Sequence, residues 1–118
     1  MNHLTAYLHH RDAFAELLDP RRYTIDWLDR QVAKGAFKVW GNDGAAIVTE
    51  IKHYPTGAMD IHGMCAAGAL WAIRELVADA EAWAKANGCI GAEIASRPAW
   101  ARVLDGYAVH QVTIRKDL

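Results

Sequence analysis

The sequence predicts an α+β domain whose single mixed sheet combines an antiparallel meander with a parallel β-α-β crossover. Apolar residues recur at helical spacing through the first third of the chain, and the period then shortens to that of strands over residues 36–64. A long amphipathic helix next separates that region from another apolar run. Two strands bridged by a long helix can lie side by side in parallel, with the right-handed connection such units adopt. At 118 residues there is room for one domain, residues 1–118. Folding at that length buries roughly two-thirds of the extended-chain surface, enough for a core without staples.

Between His9 and Asp19, Ala13, Phe14, Leu17 and Leu18 form one helical stripe, and Pro20 closes the helix or the turn after it. Thr24 is placed to cap a second helix, with Asp26 near its positive end. Ile25, Leu28 and Val32 lie along one side of it, and Gly35 fits a left-handed terminus after Lys34. Residues 36–40 read as a short strand. Gly41-Asn42-Asp43-Gly44 reads as a hairpin turn of residues that tolerate positive φ. Residues 45–54 continue as a second strand, Pro55-Thr56-Gly57 turns the chain, and residues 58–64 make a third. The strongest helix spans residues 68–87. Leu70, Ile73, Val77, Ala80 and Ala84 mark its buried stripe, Leu76 and Trp83 widen it, and Asn87-Gly88 ends it. Residues 89–95 form an apolar strand, and a short helix runs from near Ser96 to Leu104 with Pro98 in its first turn. Asp105-Gly106 breaks that helix, and residues 107–114 form a last strand through Val109, Val112 and Ile114. The expected order is α-α-β-β-β-α-β-α-β.

Composition narrows the function. Apolar residues make up 53% and charged residues 23%, a globular profile. A net charge of −1 supplies no basic field for a nucleic-acid backbone, so no nucleic-acid partner is expected. No apolar run reaches the length of a membrane span, and MNHLTAYLHHRD lacks the basic-then-apolar order of a signal peptide. A cytoplasmic location follows, where Cys65 and Cys89 stay reduced as small buried hydrophobes. The histidines include no helical His-x-x-x-His pair, and the two cysteines make no zinc motif, so no metal is expected. Five tryptophans are many for this length; Trp71 and Trp83 occupy different angles of one helix, which puts one at a surface suited to a contact interface.

The best carboxylates for general-base work on the central strands are Glu50 and Asp60, with His62 next. Alternation places Glu50 on the side of Val48 and Lys52, and Asp60 on the side of His62. Asp60 and His62 are either a base with its orienter or a surface pair.

The order of elements resembles the fold of the GCN5-related N-acetyltransferases (GNAT), without its first strand and most of its last hairpin. Asp60-Ile61-His62-Gly63-Met64-Cys65-Ala66-Ala67-Gly68-Ala69-Leu70 stands where that family has a strand, a pyrophosphate loop and a helix start. Against the family's Gln/Arg-x-x-Gly-x-Gly/Ala, the small positions fall on Ala66 and Gly68, and Gly63 replaces the Gln or Arg. Ala82-Trp83-Ala84-Lys85-Ala86-Asn87-Gly88-Cys89 looks like the end of the central helix, and the segment from Arg97 to Tyr107 is similar to the short helix and Gly-Phe/Tyr turn that follow. The resemblance covers residues 36–115 and is nearest to small trimmed GNAT-like proteins of bacteriophages and prophages, some of them virion or assembly components.

The resemblance implies acetyl-CoA as substrate. Its pyrophosphate would rest on Met64, Cys65, Ala66, Ala67, Gly68 and Ala69, where backbone N–H groups at a helix start favour an anion; a turn made small for packing alone fits the same residues. The family's acid tyrosine is replaced near Arg102 and Val103, and Tyr107 is expected to be a packing aromatic. The lost Gln/Arg and Tyr imply a weakened or lapsed catalyst of phage or prophage type. Such a protein would work in structure, assembly or interaction, as a homodimer or with a phage structural or host protein, and be virion-associated. The alternative is an acetyl-CoA-dependent N-acetyltransferase with Glu50 or Asp60 as base.

Overall fold

The computed structural model describes residues 2–118. Three short helices, α1 (His3–His9), α2 (Arg11–Leu17) and α3 (Ile25–Ala33), precede a meander of β1 (Lys38–Gly41), β2 (Ala45–His53) and β3 (Met59–Gly68). Helix α4 (Leu70–Ala86), strand β4 (Gly91–Ile94) and the single turn α5 (Trp100–Val103) complete the order. The strands lie β1-β2-β3-β4, antiparallel except that β4 runs parallel to β3. The mixed sheet and its crossover therefore match the expectation.

Several local signals act as the sequence suggests. The Thr24 hydroxyl accepts the Trp27 N–H at 3.2 Å and caps α3. After α4, the Gly88 N–H bonds the Lys85 carbonyl and the Cys89 N–H bonds the Ala84 carbonyl, a paired closure that requires the left-handed φ of +91° at Gly88.

Both ends of the chain depart from the expected order. Helix begins at His3, not His9, because the Asn2 side chain caps the Thr5 N–H at 2.7 Å, and the helix breaks at His10. Residues 107–114 form no strand: Val109, Val112 and Ile114 are exposed, and no ladder reaches them. Alternation records strand propensity, which yields a strand only where an edge is within reach. The third strand also runs four residues further than expected, to Gly68, because its small residues pair with Ala45, Ala46, Ile47 and Val48 of β2. Helix α4 starts correspondingly later, leaving Leu70 and Trp71 exposed and rotating the buried stripe onto Ala72, Ile73, Leu76, Ala80 and Ala84.

Each sheet face carries its own core. Tyr7, Phe14, Leu28 and Phe37 pack on Val39 and Val48 on the face that α1, α2 and α3 cover. Helix α4 packs Ile73, Leu76 and Ala80 on Trp40, Ile47 and Ile61 of the other. Fully buried side chains such as Phe14, Leu28 and Val48 are each worth roughly 1.5–3 kcal/mol of transfer free energy. The β1–β2 turn uses no positive φ; instead the Asn42 side-chain Oδ1 accepts from the Gly44 and Ala45 N–H groups at 3.0 and 2.9 Å. Its glycine serves proximity, since a Cβ on Gly44 would lie 2.6 Å from the Ala72 Cβ and 2.8 Å from the Trp71 ring.

Helix α1 covers the outer edge of β1. His3 Nδ1 accepts the Gly41 N–H at 2.8 Å, and a Cβ at Gly41 would overlap the Ala6 Cβ. An edge that would otherwise present unpaired backbone is thus capped at its Gly41 end by the chain itself. The three helices are tied together at Asp29, which accepts the Tyr7 hydroxyl at 2.6 Å and the Arg11 guanidinium at 2.7 Å.

Two outcomes follow. Gly41→Ala displaces α1 and should cost about 1–3 kcal/mol in urea unfolding. It should also speed amide exchange in residues 38–41. Asp29 is held below the usual carboxylate range by the Arg11 guanidinium and then by the Tyr7 hydroxyl. Its stabilising contribution is full above the unfolded carboxylate value of about 3.9 and is lost as the pH falls through its lowered folded value. The stability gap between wild type and Asp29→Asn should be present at neutral pH and shrink as the pH drops below about 4.

Candidate functional site

The face under α1–α3 is apolar at one end and polar at the other. Val48 lies opposite Cys65, Glu50 opposite His62 and Lys52 opposite Asp60, so all six share that face. His62 Nδ1 and Glu50 Oε1 are 3.2 Å apart. An ionised carboxylate only accepts, so in this contact the imidazole Nδ1–H donates to Glu50. Nε2 is sealed from solvent and has no partner among the described residues, and His62 as a whole is 8% exposed. The Glu50 side chain keeps 27% of its surface, so it is the more accessible member of the pair. Asp60 is engaged elsewhere, accepting the Tyr54 hydroxyl at 3.0 Å. On β4, Glu93 stands beside His62 in the register and pairs with Lys52 at 3.7 Å.

Two irregularities frame this patch. Strand β3 bulges at Met64: Val48 faces Cys65 but its neighbour Thr49 faces Gly63, leaving Met64 without an opposite residue. Strand β4 pairs with β3 from Asp60–Gly91 through Gly63–Ile94, and the two then part. Beyond that fork, residues 64–68 of β3 present one backbone edge with no strand beside it among the described residues. Glu50 and His62 sit one residue before the fork, and Asp60 three residues before it.

No family model matches the sequence, and no curated protein matches it. Solved structures do. An acetyltransferase from Trypanosoma brucei superposes with a TM-score of 0.67 at 14% identity, covering 97% of this chain and 94% of its own. Glucosamine-6-phosphate N-acetyltransferase from Arabidopsis thaliana gives 0.62 at 12% identity, with 91% and 87% covered. Ribosomal-protein-alanine N-acetyltransferase from Brucella melitensis gives 0.56 at 14% identity, with 92% and 95% covered. The fold is GNAT-like. At these identities the likeness concerns architecture.

Within this GNAT-like frame, the residues expected to form a pyrophosphate loop lie at the end of β3 and the start of α4. Met64, Cys65, Ala66, Ala67 and Gly68 belong to β3, and Ala69 is the N-cap of α4. Met64, Cys65 and Ala67 pack with the core under α1–α3 and Ala66 with the core under α4, so their side chains are committed to packing. Gly68 marks a close corner: its φ is +114°, and a Cβ there would overlap the Gly44 carbonyl oxygen and lie 2.6 Å from the Ala45 Cα. The Ala69 N–H donates to that same carbonyl at 3.0 Å. Ala69 is exposed, and the positive end of the α4 dipole lies at the turn that follows it. Tyr107 packs as expected: its hydroxyl donates to Glu81 Oε2 at 2.6 Å, and burial together with that carboxylate raises its pKa. Trp71 is the surface tryptophan, 58% exposed.

Alternation in the sequence places Glu50, Asp60 and His62 on strand faces but does not pair them across strands, and it gives no sign of the bulge or the fork. Cys65 stands next to the bulge, and burial pushes its thiol up to about 12, which removes it as a nucleophile. In native protein at pH 8, iodoacetamide should modify Cys65 roughly a thousandfold more slowly than a thiol of ordinary pKa, with normal reactivity returning on unfolding. Mass spectrometry of the alkylated peptide checks this.

Proposed function

We propose that the chain is an acetyl-CoA-dependent N-acetyltransferase in which Glu50 takes the proton from an acceptor amine and His62 positions Glu50. What supports this is the Glu50–His62 contact one residue from the fork, because a half-buried carboxylate with a fixed orienter is what amine deprotonation requires. The free edge of residues 64–68 offers N–H and C=O groups to an amide-bearing arm, in the manner of an added strand. The first turn of α4 offers its N–H groups and positive dipole end to a pyrophosphate. In the reaction the amine nitrogen attacks the thioester carbonyl carbon and its proton passes to Glu50. The C–S bond breaks, coenzyme A leaves as a thiolate that takes a proton from water, and Glu50 releases its proton to solvent. With Tyr107 committed to Glu81, that hydroxyl is not free to assist the thiolate, which fits a modest rate.

A second reading rests on the same commitment of Tyr107: a lapsed GNAT-like domain of phage or prophage type, serving structure or assembly. The solved structures named above come from cellular organisms and lend it no support.

Titration calorimetry with acetyl-CoA separates the two readings. Gly68 is unsuited to the test because any side chain there disrupts the corner, so Ala69→Asp is the informative variant. An N-cap aspartate should stabilise α4 by about 0.5–2 kcal/mol while placing a negative charge where the pyrophosphate binds. Micromolar binding by wild type, weakened about tenfold in a variant that melts no lower, is the expected result. No heat at millimolar acetyl-CoA overturns the enzyme reading. Glu50→Gln should lower kcat by roughly 10²–10⁴ and leave acetyl-CoA binding nearly unchanged.

A further inference from the structure

The fork between β3 and β4 closes on an unequal pair. Gly63 and Ile94 are the last residues the two strands share in register, and partners in a parallel ladder direct their side chains to one face. That face is the one α4 covers, because Gly63 alternates with Ile61, which packs in the core under α4. Gly63 has no positive φ, so its backbone would accept a side chain; what the glycine supplies is room. Ile94 takes that room: a Cβ at Gly63 would lie 3.2 Å from Ile94 Cγ1 and 3.9 Å from Ile94 Cδ1. Met64, next along β3, packs with the core under α1–α3, which leaves this side of the vertex to Ile94.

An arm added along residues 64–68 would lie in the lane that β4 vacates when it parts from β3. With its pyrophosphate at the first turn of α4, just past Gly68, the arm runs back from residue 68 to residue 64. Its thioester then arrives at the vertex, one residue from the level of Glu50, and the lane ends there against the last paired residue of β4. We propose that Ile94 sets the length of the acyl group this chain accepts. The methyl of an acetyl group stops against the Ile94 side chain, and the further carbons of a butyryl group meet space that is already filled. This selection rests on the acetyltransferase reading above and adds to it the residue that chooses the donor. Ile94 takes no proton and forms no bond; it acts by exclusion.

Titration calorimetry with acetyl-CoA, propionyl-CoA and butyryl-CoA reads the selection without any acceptor amine. Wild type should bind acetyl-CoA about tenfold or more tightly than butyryl-CoA, and Ile94→Ala should bring the two affinities together. Ile94→Val keeps the branched shape that suits a strand and should narrow the gap for propionyl-CoA while still rejecting butyryl-CoA. Adding Gly63→Ala to Ile94→Ala returns a methyl group to the opened space and should restore part of the preference for acetyl-CoA, which a general loosening of the fork would not do. Wild type that binds acetyl-CoA and butyryl-CoA alike, or an Ile94→Ala variant with the wild-type preference, overturns the proposal and leaves the acetyltransferase reading standing. Wild type that binds none of the three thioesters overturns that reading, and the selection falls with it.

Discussion

Where β3 hands over to α4, the backbone passes so close to the β1–β2 turn that no side chain fits between them. The Ala69 N–H bonds the Gly44 carbonyl, Gly68 turns through a left-handed conformation beneath it, and Gly44 lies against Ala72 and Trp71. This corner sets the angle at which α4 leaves the sheet, and so determines which of its residues are buried. It also fixes where β3 ends, hence how far its free edge extends beyond the fork. The core under α4, the crossover to β4 and the presentation of the α4 N-terminus all inherit their geometry from a contact between backbone atoms. Substitutions there act on the whole domain before they act on any ligand.

The polar patch depends on a different economy. Its face is shared with a hydrophobic core, so the charged residues stand at the limit of what α1–α3 cover. Glu50 remains partly solvated while His62 is nearly enclosed. Enclosure holds the imidazole in place, and its sealed Nε2 makes it a supporting group for Glu50 more than a reagent. Asp60, equally plausible from alternation alone, is distinguished by position: it is further from the fork and already accepts the Tyr54 hydroxyl.

Much of the fold is legible in the sequence wherever the signal is local. The Thr24 cap, the terminators Gly35 and Gly88, the turn at Gly57 and the amphipathic run of α4 each depend on a few adjacent residues, and each is present. Features set by distant partners were hidden. The end of β3 is decided by pairing with β2, the docking of α1 by its contact with β1, and the fate of residues 107–114 by how Tyr107 is moored. The same division runs through the site. Face assignments for Glu50, Asp60 and His62 follow from alternation, but the Glu50–His62 contact follows from a cross-strand register that no short window contains.

The bulge at Met64 governs which changes of length the chain can absorb. On one side of it the odd-numbered residues Cys65 and Ala67 face α1–α3, and on the other the even-numbered Asp60 and His62 do. One extra residue reconciles two opposite alternations. Loss of the bulged Met64 would straighten the ladder and leave both sets in place, whereas a deletion elsewhere in β3 with the bulge retained would send one of these sets to the wrong side, trading core for solvent or the reverse. The exposed turn at residues 54–57 has no such duty and can lengthen or shorten freely. Length drift among descendants of this chain should therefore gather at that turn and spare the residues of β3 on either side of Met64.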